Sequence, residues 1–104
     1  MLHFRLKFLW FGTKGIAVSL DQVSLNSNKV LPLTEYFFWP RSDAWDEMRI
    51  CLKSKTWISS NDLVFILNQL TEVINFWQEK NDLKAENSAQ IKERFPNCDF
   101  VFCD

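Results

Sequence analysis

The stretch HFRLKFLWFGTKGIAVSL, residues 3–20, decides the fold. Before its glycines, apolar side chains alternate with polar ones such as Arg5 and Lys7, which is the period-two pattern of a half-buried strand. A turn bounded by glycines follows at residues 12–15, and a second alternating run begins at Ile16. Two alternating runs joined by a short glycine-containing loop predict a β-hairpin.

Two amphipathic helices are expected after the hairpin. Ser42 or Asp43 is the N-cap of the first, and apolar residues recur from Trp45 with helical spacing until about residues 53–55. The second helix follows Ser59, which begins a Ser-x-x-acid cap, and it keeps an apolar face for four turns. An apolar face of this length has to be buried, so the second helix is expected to cover the sheet.

We interpret the whole chain, residues 1–104, as one small domain, because a chain of this length supports a single core. Residues 24–31 are expected to form a polar loop. Residues 78–94 are typical of a polar helix extension or linker, and residues 95–104 of a docking tail with a final short strand. The predicted fold class is α+β: a small antiparallel sheet, made of an N-terminal β-hairpin plus short added strands, packed against two α-helices.

The sequence shows no constellation of residues that would support catalysis or bind a metal. Cys51, Cys98 and Cys103 form no CxxC pair, and with a single histidine they do not match the spacing of a zinc site. Nucleotide-binding and hydrolase motifs are also missing. We therefore expect no enzyme activity, no metal, no cofactor and no small-molecule substrate. Arg5 and Lys7 interrupt the apolar N-terminus, which indicates neither a signal peptide nor a membrane partner.

The net charge of −1 is unevenly distributed along the chain. Residues 1–58 hold eight Lys/Arg against five Asp/Glu, whereas residues 59–104 hold four against eight. This asymmetry indicates one basic contact face. The isoelectric point of 5.8 lies far below the value of roughly 9 that is typical of nucleic-acid-binding domains. Charge alone therefore favours a protein-interaction module, and RNA binding would have to be indicated by other features of the sequence.

A second stretch, PLTEYFFWPRSDAW at residues 32–45, holds five aromatic side chains between Tyr36 and Trp45. It resembles the family of plastid-specific ribosomal protein three, from the small ribosomal subunit of chloroplasts and cyanobacteria, and the resemblance covers about residues 6–102. Further matching segments are LDQV at 20–23, WIS at 57–59, TEVINFWQE at 71–79 and FP at 95–96. The resemblance implies a non-enzymatic structural constituent of the small subunit, located in the ribosome of the plastid stroma and supporting translation.

Ribosomal RNA and neighbouring small-subunit proteins are the partners that this resemblance implies. The RNA-binding candidates are the basic residues Arg5, Lys7, Lys14, Arg41, Arg49, Lys53 and Lys55. The protein-contact candidates are Phe65, Phe76 and Trp39. We also hypothesise that Trp39 or Phe38 is buried while Arg41 faces an RNA phosphate.

Phe65 and Phe76 lie eleven positions apart and nearly superimpose on a helical projection, opposite the apolar face. Two exposed phenylalanines would mark a partner surface, whereas a tail packed over them would make them structural. The alternative function is accordingly a regulatory or interaction module that visits a larger assembly through this pair.

Overall fold

In the described part of the chain, five strands form one sheet and three α-helices accompany it. A computed structural model describes residues 2–24, 26–27 and 29–103. The strands are β1 (Leu2–Trp10), β2 (Ile16–Ser24), β3 (Val30–Pro32), β4 (Phe37–Trp39) and β5 (Asp99–Phe102). The helices are α1 (Ala44–Lys53), α2 (Ser60–Lys80) and α3 (Ala89–Arg94), with 3-10 turns at Gly12–Lys14 and Ala85–Asn87.

The predicted hairpin, β1 with β2, forms the middle of the sheet. The strand order is β3-β2-β1-β5, and β4 also pairs with β2. The two short strands share the outer edge of β2, with β4 along residues 16–18 and β3 along residues 21–23. On the other side, β5 pairs with residues 7–10 of β1 and runs parallel to it. The α+β class is confirmed, but the sheet is mixed, because the helices bring the chain back to enter β5 in the direction of β1.

One face of the hairpin forms the floor of the hydrophobic core. Alternate residues of both strands point to this side and are almost fully buried: Leu6, Phe8, Trp10, Ile16, Val18 and Leu20. The apolar faces of α1 and α2 pack against them, as the four-turn pattern predicted. Both expected caps form, since the side chains of Asp43 and Ser59 each accept a backbone N–H bond of 3.1 Å at the helix start.

An aromatic cluster joins the end of α2 to the chain that follows it. The ring of Phe76 meets that of Phe95 edge-on, with centroids 5.9 Å apart, and lies 6.3 Å from the ring of Trp10. The guanidinium of Arg94 lies 5.7 Å from the centroids of both phenylalanine rings. Residues after α3 therefore cover the last turns of α2.

This cluster separates the two members of the phenylalanine pair. Phe76 is 7% exposed, so the alternative of a tail packed over it applies to this residue, whereas Phe65 near the start of α2 is 60% exposed. The two side chains project from α2 in the same direction, but the docked tail reaches only the later one.

The expected polar loop, and the segment predicted to be a polar helix extension or linker, both contain regular elements. The expected polar loop at 24–31 includes the start of β3, and positions 25 and 28 of that loop lie outside the described residues. The segment at 78–94 holds the last turn of α2, a 3-10 turn and α3, and it contributes the buried Leu83 and Ile91 to the core. These segments contain too few apolar residues to show a hydrophobic period, so periodicity could not predict their strand and helix.

Replacing Phe76 and Phe65 separately by Ala provides a test of the fold within one helix. Phe76→Ala is expected to lower the free energy of unfolding by about 3–5 kcal/mol, because it leaves a cavity among packed rings. Phe65→Ala is expected to change it by no more than about 0.5 kcal/mol, as for other exposed sites. Urea denaturation of both variants measures the difference, and similar losses would contradict the one-sided docking of the tail.

Candidate nucleic-acid interface

The aromatic segment at residues 36–45 runs from β4 into α1 and divides its rings between core and surface. Phe37 and Trp39 pair with residues of β2 that face the helices, and Phe37 is buried while Trp39 is half-buried. Phe38 points to the opposite side of the sheet and is 42% exposed. Of the two rings expected to be buried, Trp39 packs half-buried against the core and Phe38 does not, and strand alternation makes Phe37 the fully buried ring. Trp45 donates its indole N–H to the Leu67 carbonyl at 3.3 Å and so ties α1 to α2.

A backbone contact at Gly15 fixes the hairpin tip against this segment. Gly15 has a φ of +138°, which side-chain-bearing residues rarely adopt. A Cβ at this position would overlap the carbonyl oxygen of Trp39 and lie 3.2 Å from Cδ of Pro40, and the Trp39–Pro40 peptide bond is cis. On the other side of the tip, the Trp77 indole donates to the Gly12 carbonyl at 2.9 Å. The tip is thus held between β4 and α2.

These contacts shape a groove of about 240 Å³ at the end of the sheet. We call it the hairpin-tip groove, and its lining residues are Phe11, Lys14, Gly15, Ile16, Phe38, Trp39 and Arg41. Lys14 and Arg41 are both exposed and approach it from different turns of the chain. Among the described residues that line it, none is acidic. The structure therefore brings two of the predicted RNA-binding residues together beside an exposed aromatic ring.

A second pair of candidates, Arg5 and Lys7, lies on the face of the sheet opposite the helices. Arg5 forms an ion pair with Asp99, with 3.8 Å between Nη1 and Oδ1, and it stands opposite Asp21 in the hairpin register. Asp21 is only 7% exposed. Burial raises the pKa of this carboxyl, against the opposing effect of Lys7, while Asp99 raises the pKa further and Arg5 lowers it. Two carboxylates thus offset the two cations of this face.

The remaining candidates belong to α1 and the turn after it. Arg49 donates to Asp46 Oδ1 from Nε at 2.9 Å and from Nη2 at 2.6 Å, so its guanidinium is already paired with a carboxylate. Lys53 is exposed in the last turn of the helix, and Lys55 is half-buried beyond it. The seven basic candidates therefore occupy three places instead of one basic face. Within the described residues, only the hairpin-tip groove combines two of these cations in a lining without a carboxylate.

Three of the exposed large apolar residues lie at or just before the start of α2, and others lie in β3, α1 and β5. Phe65, Val64 and Trp57 are each more than half exposed, and the Trp57 ring lies 6.0 Å from that of Phe4. Trp57 was not among the predicted contact residues, because it lies in a turn where no period distinguishes exposed from buried rings. Trp39, the third protein-contact candidate, lines the hairpin-tip groove instead.

The cysteines behave as packing residues. All three thiols are free, and burial raises the pKa of Cys98 to about 12, with the neighbouring Asp99 adding to the effect. Across residues 2–24, 26–27 and 29–103, no three potential metal ligands come together, and no helix is long and apolar enough to cross a membrane.

Comparison with known proteins connects this architecture to a family. A family model described as "Plastid and cyanobacterial ribosomal protein (PSRP-3 / Ycf65)" matches residues 33–80. Small ribosomal subunit protein cS23 from Euglena viridis is 51% identical over 104 residues, which is all of both chains. The chain belongs to the PSRP-3 / Ycf65 family. The protein named cS23 from Mesostigma viride is 50% identical over 98 residues, covering 94% of this chain and 76% of its own. The protein named probable cS23 from Synechococcus sp. (strain JA-3-3Ab) is 44% identical over 97 residues, 93% of each chain.

Membership of the PSRP-3 / Ycf65 family confirms the resemblance seen in the sequence. The matched residues 33–80 include β4, α1 and α2, so they hold Phe38, Trp39 and Arg41 of the hairpin-tip groove. The other wall of the groove comes from the hairpin, which the matches to full-length relatives also cover.

Gly15→Ala is expected to be far more destabilising than Gly12→Ala. Both glycines have positive φ, so each alanine carries a strain of about 1–2 kcal/mol. At Gly15 the new Cβ also overlaps the Trp39 carbonyl, which raises the expected loss to about 3 kcal/mol or more. At Gly12 the nearest heavy atom is 4.0 Å away. Thermal unfolding of both variants tests this difference, and equal losses would contradict the close approach.

Asp21→Asn is expected to raise the melting temperature at pH 7. Because folding raises the pKa of Asp21 above its ordinary value of 3.8, this carboxylate disfavours the folded state increasingly as pH rises through the raised pKa. The advantage of the variant should therefore shrink as pH falls and vanish below 3.8. Melting curves between pH 3 and 7 measure it, with the exposed Asp82→Asn as the matched control. An advantage that does not change with pH would contradict the electrostatic explanation.

Proposed function

We propose that this protein is a structural constituent of the small ribosomal subunit of plastids, where it contacts ribosomal RNA and neighbouring proteins, supports translation and catalyses no reaction. The observation that carries this proposal is the 51% identity, over the whole of both chains, to small ribosomal subunit protein cS23 from Euglena viridis. At this level of identity the fold and its exposed groups are expected to serve the same assembly.

The distribution of charge supports a small RNA footprint. Phosphate contacts dominate the affinity of proteins for nucleic acids, and an isoelectric point of 5.8 leaves few cations for them. Arg5 and Arg49 already pair with carboxylates of this chain. Lys14 and Arg41 form no ion pair with any described residue, and they are the cations we assign to phosphate contacts. Lys53 and Lys55 at the end of α1, together with Lys7 on β1, are the remaining candidates for a peripheral contact.

Contacts with neighbouring ribosomal proteins are assigned to the start of α2. Phe65, Val64 and Trp57 expose large apolar side chains within a short distance along the chain, and such patches are typical of protein interfaces. Acidic residues dominate from position 59 onward, which disfavours RNA contacts by this half of the protein. A regulatory module that visits the ribosome would use the same apolar residues, and salt resistance separates the two functions.

Sedimentation of plastid extract after a high-salt wash tests the proposed function. A structural constituent is expected to migrate with the small subunit at close to one copy per particle, because RNA and protein contacts hold it together. A visiting factor is expected to move to the top of the gradient, since salt weakens its electrostatic contacts. Recovery only at the top would contradict the structural role.

Charge reversal in the same gradients tests the RNA contact. Arg41→Glu is expected to lower incorporation into the small subunit, because a carboxylate then faces RNA phosphates. Lys84→Glu, at another exposed position, makes the same charge change and is expected to incorporate normally. Equal incorporation of the two variants would remove Arg41 from the contact.

A further inference from the structure

We propose that the hairpin-tip groove binds one unstacked nucleotide of a single-stranded RNA segment, with its base against Phe38 and the flanking phosphates at Lys14 and Arg41. Identifying that RNA as ribosomal rests on the proposed function. The chemistry of the groove, an exposed aromatic ring and two cations in one lining, does not depend on that function.

The exposed ring of Phe38 is a platform for the base. Strand alternation places it on the face of the sheet away from the helices, where its register partner is the small Ala17. A fully packed structural phenylalanine is buried, as the adjacent Phe37 is, yet Phe38 remains 42% exposed. Aromatic rings that stay exposed in RNA-binding proteins accept splayed bases by stacking, which works for every base.

The two cations of the groove, Lys14 and Arg41, favour a ligand with several negative charges. Lys14 lies in the 3-10 turn at one wall, and Arg41 directly follows Pro40 at the other. Neither pairs with an acidic residue in the described chain, whereas Arg5 and Arg49 do. Since an ion-paired cation gives little to a ligand, Lys14 and Arg41, which share one groove lining without a carboxylate, are the cations we assign to phosphates.

The size and rigidity of the groove favour a nucleotide over an acidic peptide. Its volume of about 240 Å³ lies below the roughly 300–1,000 Å³ of pockets for drug-sized ligands, which suits one flat base more than a folded peptide segment. The contact between Gly15 and the Trp39 carbonyl holds the two walls in place. Sites on such fixed elements bind with a smaller loss of conformational entropy.

Binding of a fluorescent single-stranded oligoadenylate to the full chain tests the groove, with duplex RNA of the same length as the comparison probe. Phe38→Leu is expected to weaken single-strand binding roughly 5- to 150-fold and to leave its salt dependence unchanged, because it removes stacking alone. Lys14→Gln and Arg41→Gln are each expected to reduce the slope of log K against log salt by about 0.7, since each removes one phosphate contact.

Matched variants outside the groove control for unfolding and for general charge. Phe65→Leu and Lys84→Gln make the same changes at exposed positions and are expected to bind the oligoadenylate like the unaltered chain. The proposal is overturned if Phe38→Leu binds as tightly as its control, or if the unaltered chain prefers duplex RNA or binds neither probe at low salt.

Cross-linking in intact small subunits identifies the occupant. With Phe38 replaced by a photoreactive phenylalanine analogue, we expect a cross-link to RNA, whereas the same analogue at Phe65 is expected to reach protein. A cross-link from position 38 to protein, or none in subunits that contain the variant, would overturn the proposal while the ribosomal function stands. Absence of the unaltered protein from the subunits would instead remove the ribosomal function, and the oligoadenylate measurement would still decide the groove.

Discussion

The close approach of Gly15 to the Trp39 carbonyl is the constraint on which the arrangement of this protein depends. No side chain fits between the two backbones, so the hairpin tip and β4 must meet directly. From that contact the chain turns at Pro40 and enters α1, whose cap lies only a few residues later. The Trp77 indole holds the tip from the side of α2. One turn thereby sets the positions of a sheet edge, a helix start and both walls of the groove.

Local patterns predicted the elements that are long, and packing between distant segments decided the rest. The hairpin and α2 repeat their period often enough to be read directly from the sequence, and Asp43 and Ser59 cap as expected. The burial of Phe76 depends on contact with Phe95, which lies outside α2 and is therefore missing from a helical projection of α2. The presence of Lys14 and Arg41 in one groove lining likewise depends on how β4 pairs with β2, so their shared site could not be predicted from the sequence around either residue.

Net charge is a poor guide to the function of this protein because its charges act locally. The carboxylates of Asp21 and Asp99 lie near the cations on the sheet face opposite the helices, and Asp46 forms an ion pair with Arg49 on α1. Ion pairs within the molecule thus occupy two of the arginines of the first half, Arg5 and Arg49. A near-neutral protein can still offer a phosphate site where two cations line one groove without a carboxylate, as Lys14 and Arg41 do.

The match of the family model to residues 33–80 alone would leave this fold incomplete. Within that segment β4 has no strand to pair with, because its only partner in the described sheet is β2. The apolar face of α2 also needs the floor that β1 and β2 provide. Likewise, Arg41 and Phe38 form one wall of a groove whose other wall is the hairpin tip. The similarity to relatives along the entire chain is therefore what the packing requires, since the aromatic segment acquires both its fold and its binding chemistry from the hairpin.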